Sequence, residues 1–241
     1  MTAPLSLRAG FLAAATVVRP AMNLLTAKEW LGLENIPDTG FILVANHISE
    51  MDPPALAHMV YNQGHLPHVL AKAELFRIPV VGRLLHGMRH IPVERTRGGG
   101  GASLEAAERV LAEGGAILIY PEGTITEDPL KWPMKAKTGA ARLALKTGAP
   151  VIPAGQWGIQ EMFPRRSRYP RVWPRHTARI KVGPPVPLDD LREGPHTRTV
   201  LETATERIMA AITEQVEDLR GERMQVGRFD PRTGTRAGDP A

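Results

Sequence analysis

Phe41-Ile42-Leu43-Val44-Ala45-Asn46-His47-Ile48-Ser49-Glu50-Met51-Asp52-Pro53-Pro54 decides the fold. Its first five residues are an unbroken apolar run after Gly40, ended by polar residues. That pattern predicts a short strand buried on both faces. Pro53-Pro54 then opens a helix reaching about Tyr61, because proline suits a first helical turn. A buried strand, a polar turn and a helix in that order form the repeating unit of an α/β domain.

The alternation continues downstream. His68 to Lys72 reads as a second strand, and Glu74 to Leu85 as a helix interrupted at Pro79. Arg89 to Glu94 is a third strand, which Pro92 pushes away from a central position. Gly98 to Gly101 is a joint, Ser103 caps a helix reaching Ala112, and Gly114-Gly115 ends it. Ala116-Ile117-Leu118-Ile119-Tyr120 is the clearest buried strand. Thr138 to Lys146 is a helix closed by Gly148, followed by a strand at Val151 to Ala154. Arg179 to Val182 alternates as a half-exposed strand does, and His196 to Arg220 is a long amphipathic helix. Beyond Gly221 the chain is rich in Gly, Arg, Asp and Pro and is expected to be disordered. The expectation is an α/β domain over 35–220 with a mostly parallel central sheet flanked by helices. A segment of 34 residues precedes it and a tail of 221–241 follows.

Composition narrows the chemistry. The 241 residues suit one large domain, and 43% hydrophobic content supports a core. With no cysteine, a disulfide framework, a thiolate metal site and a cysteine nucleophile are excluded. A net charge of +5 favours anionic surfaces without choosing among phospholipid, nucleotide and nucleic acid. Nucleic acid is not expected as a partner, since no recognition motif exists and aromatics are 5% of the chain. No apolar run reaches 18 residues. Ala9 to Leu25 comes nearest, but Arg19-Pro20 breaks it, and it lacks the cationic start and cleavage site of a signal peptide. Two readings of it stand: an interfacial helix touching membrane, or a helix packed on the protein's own core.

Three polar clusters follow three of the strands. Parallel sheets carry their chemistry outside the carboxyl ends of the strands, so the clusters share one rim. In the first, His47 and Asp52 lie five positions apart, which on one helix would put them on different faces. Asp52 precedes proline and is therefore driven out of helical geometry. It fits an N-cap, and Ser49 helps close a turn that lets the carboxylate fold back on the imidazole. A capping aspartate beside an unrelated loop histidine is the other reading. No Gly-x-Ser-x-Gly elbow and no cysteine offers a nucleophile, so His47 is expected to act as general base on a substrate hydroxyl, which attacks an activated acyl donor.

In the second cluster, Ile91-Pro92-Val93-Glu94-Arg95, the arginine is placed to grip phosphate, or else to pair with Glu94 at the surface. Lys72, after the second strand, is a further candidate cation. In the third, Tyr120-Pro121-Glu122-Gly123-Thr124, Gly123 permits a sharp turn whose N–H groups can receive an oxyanion. Glu122 there holds Arg95 or Lys72, or binds an acceptor hydroxyl. Lys131, Lys135 and Lys137 follow as a basic stretch for headgroups or a diphosphate. His65-x-x-His68 seeds a metal site, but no acidic pair accompanies it and no metal is expected.

Taken together, these clusters resemble the 1-acylglycerol-3-phosphate O-acyltransferase family, the glycerolipid acyltransferases with an Asn-His-x4-Asp motif. Asn46-His47 and Asp52 match its catalytic pair, Ile91 to Arg95 its second block and Pro121 to Thr124 its third. Ala149-Pro150-Val151-Ile152-Pro153 matches a fourth, and Lys72-Ala73-Glu74-Leu75 a further family segment. The resemblance spans about residues 35 to 185. It implies a glycerol-3-phosphate acyltransferase-like fold with an N-terminal interfacial segment on the cytoplasmic face of the membrane, peripheral or monotopic. It implies His47 and Asp52 as catalytic residues, and Lys72, Arg95, Glu122, Gly123 and Thr124 as substrate-binding ones. The implied partners are membrane lipids, lysophosphatidate and acyl-CoA or acyl carrier protein as co-substrate, with no cofactor. Two positions depart from the pattern: Arg89 stands where the family usually has glycine, and Ile125 where it often has arginine after Glu-Gly-Thr. Ile125 leaves the acceptor open to another lysolipid or a glycolipid. A lipid-binding adaptor without catalysis is the alternative on the same fold.

Overall fold

The computed structural model describes residues 4–94, 100–165, 167 and 169–236. Its main sheet contains β1 (Thr26–Leu31), β2 (Phe41–Ala45), β3 (Pro67–Lys72), β4 (Ile91–Val93), β5 (Ala116–Ile119), β6 (Val151–Trp157) and β7 (His176–Val182). The helices are α1 (Leu5–Leu25), α2 (Asp52–Asn62), α3 (Val81–Gly87), α4 (Gly100–Ala112), α5 (Gly139–Thr147) and α6 (Arg198–Arg220). The strand order is β1-β7-β6-β2-β5-β3-β4. Pairings are parallel except β6 with β7, so the sheet is mostly parallel as expected.

The apolar runs of β2 and β5 are continuous because both faces are covered. Ile42, Val44, Ile117 and Ile119 pack with α4, α5 and α6, through residues such as Val110, Leu143 and Ile208. Phe41, Leu43, Ala45 and Leu118 face the other way, onto Leu56, Met59 and Val60 of α2. Burying one such aliphatic side chain contributes about 1.5–3 kcal/mol. Pro92 is tolerated in β4 because that strand is the sheet edge. α1 lies outside α2, with Leu7, Phe11, Ala15 and Met22 turned inward.

Several expectations are corrected here. The sheet starts before residue 35: Thr26–Leu31, from the segment set apart as N-terminal, pairs in parallel with β7. Ser103 does not cap a helix; α4 starts at Gly100, and the Ser103 hydroxyl donates to the Pro92 carbonyl at 2.6 Å. The helix read over Glu74 to Leu85 is a 3-10 turn at Ala73–Arg77 followed by α3. The tail expected to be disordered folds back through residue 236, with a short hairpin of β8 (Phe229–Asp230) and β9 (Thr235–Arg236). Ion pairs supply what apolar burial does not: Lys135 with Asp230 at 3.2 Å, and Arg236 with the fully buried Asp128.

Candidate active site

The site is built outward from the end of β2. Asn46 continues the β2–β6 pairing with its side chain: Oδ1 accepts the Gln156 N–H at 2.7 Å and Nδ2 donates to the Gln156 carbonyl at 3.0 Å. The Gln156 side-chain amide returns to the Asn46 carbonyl at 3.1 Å. This lock fixes the point at which the chain leaves the sheet, and His47 is the next residue.

Asp52 sits at the start of α2 with its carboxylate turned backwards. Oδ2 accepts from His47 Nδ1 at 2.8 Å, from the Ile48 N–H at 2.5 Å and from the Ser49 N–H at 2.8 Å. The carboxylate therefore closes the 47–52 loop and does not serve as the helix N-cap. Because Oδ2 is an acceptor for two backbone N–H groups, Nδ1 carries the ring proton and Nε2 presents its lone pair. Burial pushes the Asp52 carboxyl above the usual carboxylate range, while the His47 ring and the two N–H groups pull it back. Ser49 finishes the turn by accepting the Met51 N–H and donating to the Phe163 carbonyl.

The imidazole is held from three further directions. The Tyr120 ring stacks on it, centroids 4.3 Å apart and planes 24° apart. The His47 backbone N–H donates to Glu122 Oε1 at 2.9 Å, and the His47 carbonyl accepts the Thr126 N–H at 2.7 Å. Glu122 Oε2 accepts the Met134 N–H at 3.0 Å. Glu122 is buried, and both oxygens are committed to backbone. Glu122 thus has a structural role under His47, and of its expected partners Arg95 lies outside the described residues. Burial raises its carboxyl to about 8 against the two N–H donors. Gly123 adopts φ +73°, and a Cβ there would lie 3.1 Å from Lys137 Nζ. Its N–H is used within the turn, on the Tyr120 carbonyl, and is not turned toward an oxyanion.

His47 opens into a cavity of about 660 Å³ with Gly123, Thr124, Ile125, Lys72 and Arg165. Its apolar wall is shared by α1 (Phe11, Ala14, Ala15, Val18), α2 (Pro54, Ala57) and β3 (Val69, Leu70), with Leu75 and Met88. A second cavity of about 620 Å³ shares Leu70, Ala71, Lys72, Tyr120 and Gly123 and adds Lys137 and Arg142. Lys72 thus stands between the two, while Arg95 lies outside the described residues. Arg89 turns away and pairs with Glu113 at 2.8 Å.

Arg165 is a site residue that the sequence reading missed. It donates to the Thr126 carbonyl at 2.9 Å and to Glu127 at 2.7 Å, and so brings a cation to the cavity beside Ile125. Asn46, Gln156 and Tyr120 were also missed as positioning residues; the first and third polar clusters contain Asn46 and Tyr120, but their partners lie far off in sequence. His65 and His68 have separate neighbours, the Phe41 ring and the Arg89 carbonyl. Among the described residues no three His, Asp or Glu side chains gather as a metal would require.

A histidine–aspartate pair at the carboxyl ends of the strands of a helix-covered sheet thus opens into a largely apolar cavity that Lys72 and Arg165 also line. Residues 29–157 match the Acyltransferase family, more than half of the chain, and the protein belongs to that family. It is 31% identical over 139 residues to the chloroplastic 1-acyl-sn-glycerol-3-phosphate acyltransferase BAT2 of Brassica napus, covering 56% of this chain and 39% of that protein. The 1-acyl-sn-glycerol-3-phosphate acyltransferase of Borreliella burgdorferi is 35% identical over 136 residues, covering 55% and 52%. That of Bacillus subtilis is 33% identical over 129 residues, covering 52% and 60%. The match thus spans about half the length of these relatives. The crystal structure of the 1-acyl-sn-glycerophosphate acyltransferase PlsC from Thermotoga maritima superposes with a TM-score of 0.65 at 26% identity, covering 89% of this chain and 81% of that one.

Proposed function

We propose that this protein moves an acyl chain from an acyl thioester to the free hydroxyl of 1-acylglycerol 3-phosphate, giving phosphatidate, at a membrane surface. The observation that carries the reading is the 2.8 Å His47–Asp52 contact at the wall of an apolar cavity. Nε2 of His47 takes the hydroxyl proton as the acceptor oxygen attacks the thioester carbonyl. Asp52 stabilises the imidazolium. The tetrahedral intermediate collapses, the C–S bond breaks, and the imidazolium returns its proton to the leaving thiolate. No group beyond the thioester itself is needed to activate the acyl carbon. Acyl-CoA or acyl carrier protein supplies it.

Lys72 and Arg165 support binding of the acceptor phosphate, joined by Arg95 from the motif resemblance. The apolar wall from α1 suits an acyl chain. The outward side of α1 supports the membrane placement: Leu5, Leu12, Val17 and Leu24 are exposed, and the helix contains no acid. Among the described residues no helix is long and apolar enough to cross a membrane. The reading places the protein on the membrane as a peripheral or monotopic one, on the cytoplasmic face where thioester donors lie.

Ile125 in the cavity favours a second reading of the acceptor, another lysolipid or a glycolipid. Thiol release from acyl-CoA, measured across lysophosphatidate, neutral lysolipids and glycolipids, separates the two. Turnover with lysophosphatidate alone, with KM raised about tenfold in Arg165→Ala, is expected. Turnover only with acceptors lacking a phosphate monoester overturns the acceptor assignment, and binding without turnover supports the adaptor.

A further inference from the structure

Between the 3-10 turn at Ala73–Arg77 and α3 the chain forms a knuckle that neither the core nor the dyad uses. Leu75, Ile78, Val80, Val81 and Leu84 are all exposed there, Val80 at 67%. The charged residues on the stretch are Glu74, Arg77 and Arg83, with Lys72 just upstream.

The knuckle's geometry is tightly built. Val80 has φ 71° and ψ −60°, and the Val81 N–H donates across it to the Pro79 carbonyl at 2.9 Å. A β-branched residue held in this three-residue turn is strained. Gly82 closes the turn from behind: its N–H donates to the Ile78 carbonyl at 2.7 Å, and a Cβ there would stand 2.0 Å from the Phe76 carbonyl oxygen. The chain thus holds an apolar side chain outward, against its backbone preference and without packing in return. That surface gains stability only from something outside the chain.

Its neighbours indicate what that is. Leu75 also lines the His47 cavity, so the knuckle borders that cavity's mouth. α3 runs beside α1, where Gly10 approaches the Gly87 carbonyl, and the outward side of α1 carries Leu5 and Leu12. An apolar tip flanked by arginines matches the interface of a bilayer containing anionic lipid.

We infer that the Ile78–Leu84 knuckle inserts into the interface of an anionic phospholipid bilayer and forms the bilayer-side lip of the catalytic cavity. This rests on the membrane reading above and names the second contact, apart from α1. The lip would let an acyl chain pass between bilayer and cavity without crossing water.

The test uses the full chain and Val80→Gly, Val80→Asp, Arg77→Ala and Arg83→Ala. Each is assayed by cosedimentation with vesicles of phosphatidylcholine, alone or with phosphatidylglycerol, and by thermal melting. Val80→Gly relieves the strain, so it melts no lower than wild type while binding mixed vesicles about fivefold more weakly. Val80→Asp binds weaker still. Each arginine variant loses about fivefold of the gain due to phosphatidylglycerol. Turnover of vesicle-borne acceptor falls with binding, and turnover of a monomeric short-chain acceptor does not. If wild type binds and both Val80 variants bind equally well, the knuckle inference falls and the membrane reading stands. If wild type binds neither vesicle, both fall. If Val80→Asp abolishes a dimer seen by sedimentation without vesicles, the knuckle is a self-association contact and the lipid inference is overturned.

Discussion

Glu122 holds His47 by the backbone and not by the ring. One carboxylate oxygen takes the His47 N–H at 2.9 Å, and the other takes the Met134 N–H at 3.0 Å. Glu122→Ala orphans two buried donors, each worth about 1–3 kcal/mol. The expected outcome is a loss of about 2–6 kcal/mol in denaturant unfolding. kcat should fall more than KM changes, because the base is displaced while the cavity walls remain.

The same carboxyl makes stability depend on pH. Its folded value of about 8 lies above the ordinary 4.5, so the folded state holds a proton that the unfolded state has released. Its contribution is complete below pH 4.5 and declines as pH rises to about 8. Unfolding of wild type and Glu122→Gln across that window checks this: the wild-type slope should be the more negative.

Arg89 occupies a conformation that suits glycine, with φ 51°. A left-handed non-glycine residue costs about 1–2 kcal/mol, whereas its exposed pair with Glu113 contributes about 0–1 kcal/mol. Arg89→Gly should therefore stabilise by about 0.5–1 kcal/mol, seen as a melting temperature raised by about 1–4 °C. Activity should not change, since Arg89 points away from the site.

The C-terminal fold-back braces the loop that grips His47. Arg236 pairs with buried Asp128, whose carboxylate also accepts the Leu130 and Trp132 N–H groups, while Thr126 of the same loop donates to the His47 carbonyl. Removing one partner of such a pair costs about 3–5 kcal/mol. Arg236→Ala should destabilise by that order and lower kcat, and a double-mutant cycle with Asp128→Asn should show coupling.

The parts of the fold legible in sequence were those that burial alone dictates. β2 and β5 were readable because both faces are covered, which leaves an unbroken apolar run. β1 was not: Thr26-Ala-Lys-Glu-Trp-Leu is an edge strand with little inside it, and it is fixed by pairing with residues 150 positions away. The tail was misread because its order comes from ion pairs with Asp128 and Lys135, to which composition is blind. In the site, the short spacing from His47 to Asp52 indicated a turn that returns the carboxylate to the ring, but not its basis: Asp52 is the first residue of α2 and not its cap, and the turn is closed by the Ile48 and Ser49 N–H groups on its carboxylate. The work of Glu122 was hidden because its partners are backbone groups 75 and 12 residues away. Arg165 was hidden because it lies beyond the last matching block.

In the reaction proposed above, His47, oriented by Asp52, takes the acceptor's proton. Single-turnover acyl transfer to lysophosphatidate by purified wild type, His47→Ala and Asp52→Asn tests it most directly. Transfer by wild type is expected, with a loss of about 10²–10⁴ in rate for each variant and melting of His47→Ala close to wild type. Transfer by His47→Ala at the wild-type rate would contradict it.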